Sequence, residues 1–212
     1  MSLQNKQPES KQLLAKYWAT GKKFHAKTLS FIKKYNNKII VIKYGGYALT
    51  KPALLKSFAK NISLLNQLGI KVIVVHGGGP QIEKELKKRK INNEEYQGLR
   101  VTTKSVLGVV KRILSHDLNK LISDEIKKNG GKTKRLNGVS TKVLKAKIAM
   151  NGNIGFVGEP RGIDKNIIMK ALKSNHIPII APLGVDANNN TLNVNADTAA
   201  AYIAESLKAE RL

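Results

Sequence analysis

The sequence predicts an α/β fold, a three-layer α/β/α sandwich around a mainly parallel sheet. Three observations point there. Short β-branched runs such as Ile39–Ile42 and Val72–Val75 are apolar at every position, as strands covered on both faces must be. Segments with apolar residues at helical spacing lie between such runs. The succession of strand, glycine loop and helix occurs twice, at Gly45-Gly46 and at Gly77-Gly78-Gly79, which is how parallel strands are joined.

Taken in chain order, residues 1–10 are polar and read as a disordered tail. From Lys11 to Tyr35, Leu14, Trp18, Phe24, Thr28 and Ile32 recur at roughly helical spacing among lysines, with a break or kink expected near Gly21. Two readings of this helix stay open: it packs on its own domain, or it is an arm that reaches another subunit. Ile39–Ile42 then forms a strand that ends in Lys43-Tyr44-Gly45-Gly46. Leu54, Leu55, Phe58, Ile62, Leu65 and Leu68 mark a helix over 51–68, closed by Gly69. Val72–Val75 is the second strand, followed by His76-Gly77-Gly78-Gly79-Pro80 and a helix from Gln81 to Lys88.

Thr102 or Thr103 caps a long helix that runs to about Lys128 and stops at Asn129-Gly130-Gly131. Residues 132–157 read as short strands and hairpins around Gly138, Asn151-Gly152 and Gly155. A helix follows over Asp164–Ser174, then a buried strand over Ile177–Pro182 and an Asn-rich turn at 188–190. The last helix runs from Asp197 to about Ala209.

The composition narrows the function. With 212 residues and 42% hydrophobic content the chain holds one large domain or two small ones. No run of 18 apolar residues exists, so no membrane span is expected. The polar N-terminus lacks the apolar centre of a secretory signal. The absence of cysteine removes disulfides and thiolate metal sites and fits a cytoplasmic protein. His25, His76, His116 and His176 lack ligand spacing, so no metal site is expected. Lys and Arg number 38 against 14 Asp and Glu, a net charge of +24. Such an excess serves either an anionic polymer or simply solvated faces. The lysines are spread along the chain and aromatics make up only 5%, which favours solvated faces over a nucleic-acid partner.

The residues with chemical promise gather at the glycine loops. Loops at the carboxyl ends of parallel strands are where ligands sit in open α/β sheets. Without Cβ atoms, backbone N–H groups approach an anion closely, and the helix behind adds its dipole. A tight turn alone needs one glycine; Gly77-Gly78-Gly79 supplies three. Lys43 closes a buried strand, either to neutralise a phosphoryl group or to reach solvent at the sheet rim. Arg100, in Gly98-Leu99-Arg100-Val101-Thr102, presents a fork suited to a carboxylate, or a surface salt bridge. In Asn193-Val194-Asn195-Ala196-Asp197, Asn195 suits an N-cap, and Asp197 would be stabilised by the helix dipole.

In this order and at these intervals the four motifs resemble the acetylglutamate kinases, of the amino-acid-kinase type of fold. Gly155-Phe156-Val157-Gly158-Glu159 and Ile179-Ile180-Ala181-Pro182-Leu183-Gly184-Val185 resemble that family too. The resemblance implies transfer of the ATP γ-phosphoryl group, with Mg²⁺, to the side-chain carboxylate of N-acetyl-L-glutamate, a step of arginine biosynthesis. By motif position Lys43 would stabilise the moving phosphoryl group and Asp197 would orient catalytic lysines. Backbone amides of Gly45, Gly46, Gly77 and Gly78 would hold phosphate and the attacked carboxylate. Arg100 and Asn193 would bind the α-carboxylate side of the substrate.

The same resemblance divides the chain into an N-terminal arm or helix, 1–36, and an acetylglutamate-binding lobe, 37–212. The family's nucleotide lobe, with a second catalytic lysine to partner Asp197, would follow Leu212. A homo-oligomer joined through the N-terminal helix and the lobe is implied. So is an alternative: a short, catalytically incompetent protein that binds acetylglutamate or a partner subunit. Two positions depart from the family pattern. Val139-Ser140 stands where Lys-Asp is usual, and Lys104 where an acid is usual.

Overall fold

The computed structural model describes residues 26–212. Helix α1 (Ala26–Tyr35) leads into β1 (Ile39–Tyr44) and, after a 3₁₀ turn, α2 (Pro52–Gln67) and β2 (Lys71–His76). Next come α3 (Gly79–Lys88), the two-residue strands β3 (Glu95–Tyr96) and β4 (Leu99–Arg100), and α4 (Lys104–Arg112). A π-helical turn over Ile113–Leu118 joins α4 to α5 (Asn119–Lys128). The second half holds β5 (Thr133–Leu136), β6 (Leu144–Ile148), β7 (Val157–Ile163), α6 (Lys165–Lys173), β8 (Ile177–Ile180), β9 (Leu183–Val185), β10 (Thr191–Val194) and α7 (Ala196–Ser206).

The main sheet has the order β1-β2-β8-β5 and is parallel throughout. Side chains alternate across it, and both faces are covered. Val72, Val74, Ile177 and Ile179 pack with Leu55 and Ile62 of α2, Leu86 of α3, Val110 of α4 and Ile122 of α5. Val41, Ile73, Val75 and Ile180 face the other way, against Ile168 of α6 and Ala199 and Ile203 of α7. This is the three-layer sandwich, and it explains why the strands carry no polar alternation.

A second assembly stands beside the parallel sheet. Strands β10, β7, β6 and β9 close into a small barrel of mixed direction. It absorbs the segments expected as hairpins, except β5, which joins the main sheet. The expected long helix after Thr103 does form, with the Thr103 hydroxyl as its N-cap, but the π-helical turn interrupts it. The last helix stops at Ser206, short of the expected Ala209.

The final residues lie along the outer edge of β1, where the Val41 amide donates to the Arg211 carbonyl at 3.0 Å. The Arg211 guanidinium reaches the Tyr35 hydroxyl at 3.2 Å and so ties the end of α1 to its own domain. Leu14, Trp18, Gly21 and Phe24, like the polar tail, lie outside the described residues. Among the described residues no helix is long and apolar enough to cross a membrane.

Candidate active site

A cavity of about 240 Å³ opens at the carboxyl ends of β1 and β2. Lys43, Gly46, Gly77, Gly78, Arg100, Asn193 and Asp197, seven of the residues singled out by sequence, line it. Gly45 does not, and a Cβ there would meet nothing within 4 Å. The neighbouring Gly46 is different. A Cβ on it would lie 2.9 Å from the Gly79 nitrogen, so the two glycine loops touch backbone to backbone. A Cβ on Gly78 would come within 2.6–2.7 Å of Leu118 and Leu114, both on the π-helical turn. Glycine is required at these two positions by close approach, which sequence alone could not separate from anion binding.

Lys43 ends on Asp197, with Nζ 3.0 Å from Oδ1. Asp197, expected to orient catalytic lysines, lies against one of them: its lysine partner among the described residues is Lys43, from the first strand. Asn195 caps α7 as expected, its Oδ1 accepting from the amides of Asp197 at 2.9 Å and Thr198 at 3.0 Å. Asp197 thus sits in the first turn of a helix, where the dipole favours its charge. The first turn of α3, behind Gly78, opens on the same cavity. Two helix N-termini and one ammonium group make this wall suited to an anion.

The opposite wall rests on a hairpin. Gln97 and Gly98, both with positive φ, turn β3 into β4, and Arg100 pairs with Glu95 across it. Arg100 is half-buried and donates to the Asn93 carboxamide. Burial pulls its guanidinium below the ordinary value, and the charges of Glu95 and Glu83 oppose that shift. Glu95 also lines the cavity, a carboxylate the sequence reading missed because it belongs to no motif. Thr102, fully buried, joins two motifs. Its hydroxyl donates to the Arg100 carbonyl at 2.9 Å and accepts from the Asn193 amide at 3.1 Å.

Behind the glycine loop lies His76, which the sequence offered only as one histidine of four. It is fully buried, and desolvation lowers its pKa from 6.5 to about 4, against a smaller upward pull from the Gly77 carbonyl. Asn119 Nδ2 donates to His76 Nε2 at 3.2 Å and to the Ile179 carbonyl at 2.9 Å. The imidazole must then carry its proton on Nδ1, which faces the Gly77 carbonyl at 3.1 Å. A neutral ring of one tautomer holds the loop.

Among the described residues no three His, Cys, Asp or Glu side chains cluster.

The sequence profile of the amino acid kinase family matches residues 38–212. An acetylglutamate kinase of Psychrobacter cryohalolentis is 42% identical over 195 residues, covering 87% of this chain and 65% of that protein. An acetylglutamate kinase of Campylobacter curvus is 41% identical over 184 residues, covering 87% and 66%. A solved Streptococcus mutans protein, smu.665, superposes with a TM-score of 0.76 at 31% identity, covering 81% of this chain and 69% of that one. The chain spans about 65% of the length of the curated relatives it matches.

Proposed function

The chain belongs to the amino acid kinase family, and we propose that its cavity binds N-acetyl-L-glutamate as the acceptor of the γ-phosphoryl group of ATP. The observation that carries this reading is the Lys43–Asp197 pair at 3.0 Å, set between two helix N-termini and facing Arg100 and Asn193. The 42% identity to an acetylglutamate kinase supports the choice of acceptor.

In this reading Arg100 takes the α-carboxylate as a bidentate fork, and the Asn193 carboxamide, steered by Thr102, donates beside it. The side-chain carboxylate then points at the glycine loops. Amides of Gly46, Gly77 and Gly78 crowd the attacked carboxylate and the phosphoryl oxygens, while Lys43 neutralises charge that spreads over those oxygens in the transition state. Asp197 positions Lys43 and does not itself touch the phosphoryl group. A carboxylate oxygen attacks phosphorus directly, the bond from phosphorus to the ADP oxygen breaks, and an acyl phosphate leaves. Magnesium bound with the nucleotide would offset phosphate charge. Glu95 repels an acceptor seated without Arg100, so it sharpens the requirement for that pairing.

The remaining parts of the proposal follow the same line. Residues 37–212 form the acceptor lobe, 1–36 form an arm that joins copies of the chain, and the protein works in the cytoplasm. Calorimetry with N-acetyl-L-glutamate, and separately with ATP and Mg²⁺, tests the acceptor lobe directly. Saturable binding of acetylglutamate, lost on Arg100→Ala, is expected; heat with ATP and none with acetylglutamate would overturn the reading. A coupled ADP assay on the same sample separates transfer from binding without transfer, the second reading.

A further inference from the structure

A second cavity, about 440 Å³, lies between the π-helical turn and the end of β5. Lys111, Arg112, Ser115, His116, Arg135 and Ser140 line it, and no carboxylate does. Arg112 is engaged elsewhere, by Glu85 at 2.8 Å and Asp117 at 3.3 Å. Lys111 and Arg135 form no ion pair among the described residues. No carboxylate stands in the cavity wall to offset their charge there.

Arg135 is fixed in place rather than free to follow solvent. Its Nη2 donates to the Ser115 carbonyl at 2.6 Å, and its Nε donates to Asn119 Oδ1 at 3.0 Å. Asn119 is the residue that sets the His76 tautomer, so the guanidinium is anchored to the buried core. The remaining guanidinium nitrogen is left for another acceptor. Ser115 supplies the independent sign. Its side chain is more than nine-tenths buried, and its Oγ has no hydrogen-bond partner among the described residues. Buried hydroxyls are almost always satisfied, and this one stands in a cavity wall, on a π-helical turn of the kind found at functional sites.

From these features we infer that the cavity is a second oxyanion site, separate from the first, which takes a phosphate group, free or esterified to a small metabolite. Arg135 would contribute a preorganised donor, Lys111 the mobile charge, and Ser115 the buried hydroxyl that a phosphate oxygen would satisfy. The volume lies in the range of small-molecule sites and leaves room for more than the phosphate itself.

Calorimetry of the chain with inorganic phosphate and with glycerol 3-phosphate, at constant ionic strength, is the test. Saturable binding is expected, unchanged in Lys43→Met, which disables the first cavity. Lys111→Ala and Ser115→Ala should each weaken it by about tenfold, whereas Lys56→Ala, on the exposed side of α2, should not. Tighter binding of the ester identifies a carried phosphate as the natural source, and equal affinity a free one. Lys111 makes no hydrogen bond that the fold depends on, so its variant keeps the test open should Ser115→Ala misfold. Loss of binding in Lys43→Met would overturn the inference. So would equal weakening by Lys56→Ala and Lys111→Ala, which marks diffuse charge alone, or an absence of saturation.

Discussion

Lys43 and Gly78 stand at the ends of strands paired over six residues in register, Ile39–Tyr44 with Lys71–His76, in the middle of the sandwich. Arg100 stands on a two-residue strand of a small hairpin, and its position depends on hydrogen bonds with Asn93 and Thr102. One wall of the cavity is therefore continuous with the main hydrophobic core, and the other is held by polar contacts and by Leu99 and Val101 on a small cluster of Ala149, Ile154 and Val157. The difference teaches that the two should respond differently to substitution. Damage to the glycine-loop wall costs stability and binding together, whereas damage to the hairpin wall costs binding alone.

The largest expected effect belongs to the core wall and is read by pH. His76 titrates near 6.5 when unfolded and at about 4 when folded. Between those values the unfolded chain binds the extra proton, so this contribution is present above the unfolded value and is lost as pH falls toward the folded one. The loss approaches about 3 kcal/mol. Urea unfolding at steps from neutral pH downward should show it, and His76→Gln should flatten that part of the profile. Identical slopes in the two proteins would assign the titration to other groups.

Arg100→Lys should weaken acetylglutamate binding by about 1.5–3 kcal/mol, since a point charge replaces a fork. The thermal midpoint should stay in place, because the Arg100 side chain belongs to neither of the two large apolar clusters. A drop in stability matching the loss of affinity would erase the contrast between the walls.

Gly78→Ala sharpens the contrast from the other side. The new methyl meets Leu118 and Leu114 at 2.6 and 2.7 Å, an overpacking that should cost about 1–3 kcal/mol of stability. Affinity for acetylglutamate should fall with it. Chemical denaturation and calorimetry on one preparation would reveal whether the two losses travel together.

The smallest effect is expected from Thr102→Val, which keeps the shape and removes the hydroxyl between Arg100 and Asn193. A loss of about 1 kcal/mol in acetylglutamate affinity should follow, as the Asn193 carboxamide loses its acceptor. Unchanged affinity would mean that the pairing of β10 with β7 and β9 holds Asn193 in place without the hydroxyl.

Much of the architecture was legible because it is encoded locally. The unbroken β-branched runs at Ile39–Ile42 and Val72–Val75 announce strands covered on both faces, and the observed alternation of Val72 and Val74 against Ile73 and Val75 is what such runs imply. The Thr103 and Asn195 caps and the stop after Lys128 could be placed from residue type and spacing. The motifs likewise named seven of the residues that line the first cavity.

What the sequence by itself determined, then, is where strands and helices lie and which loops carry glycine. Period, propensity and capping act over a few neighbouring residues and leave a readable pattern. Only the tertiary structure decided which distant groups meet. It paired Lys43 with Asp197, closed β6, β7, β9 and β10 into a barrel, and linked His76, Asn119 and Arg135 in one buried network. It also left the Ser115 hydroxyl buried beside a second basic cavity. These contacts follow from packing helices on both faces of a twisted sheet, a constraint that acts through space, and no spacing along the chain records it.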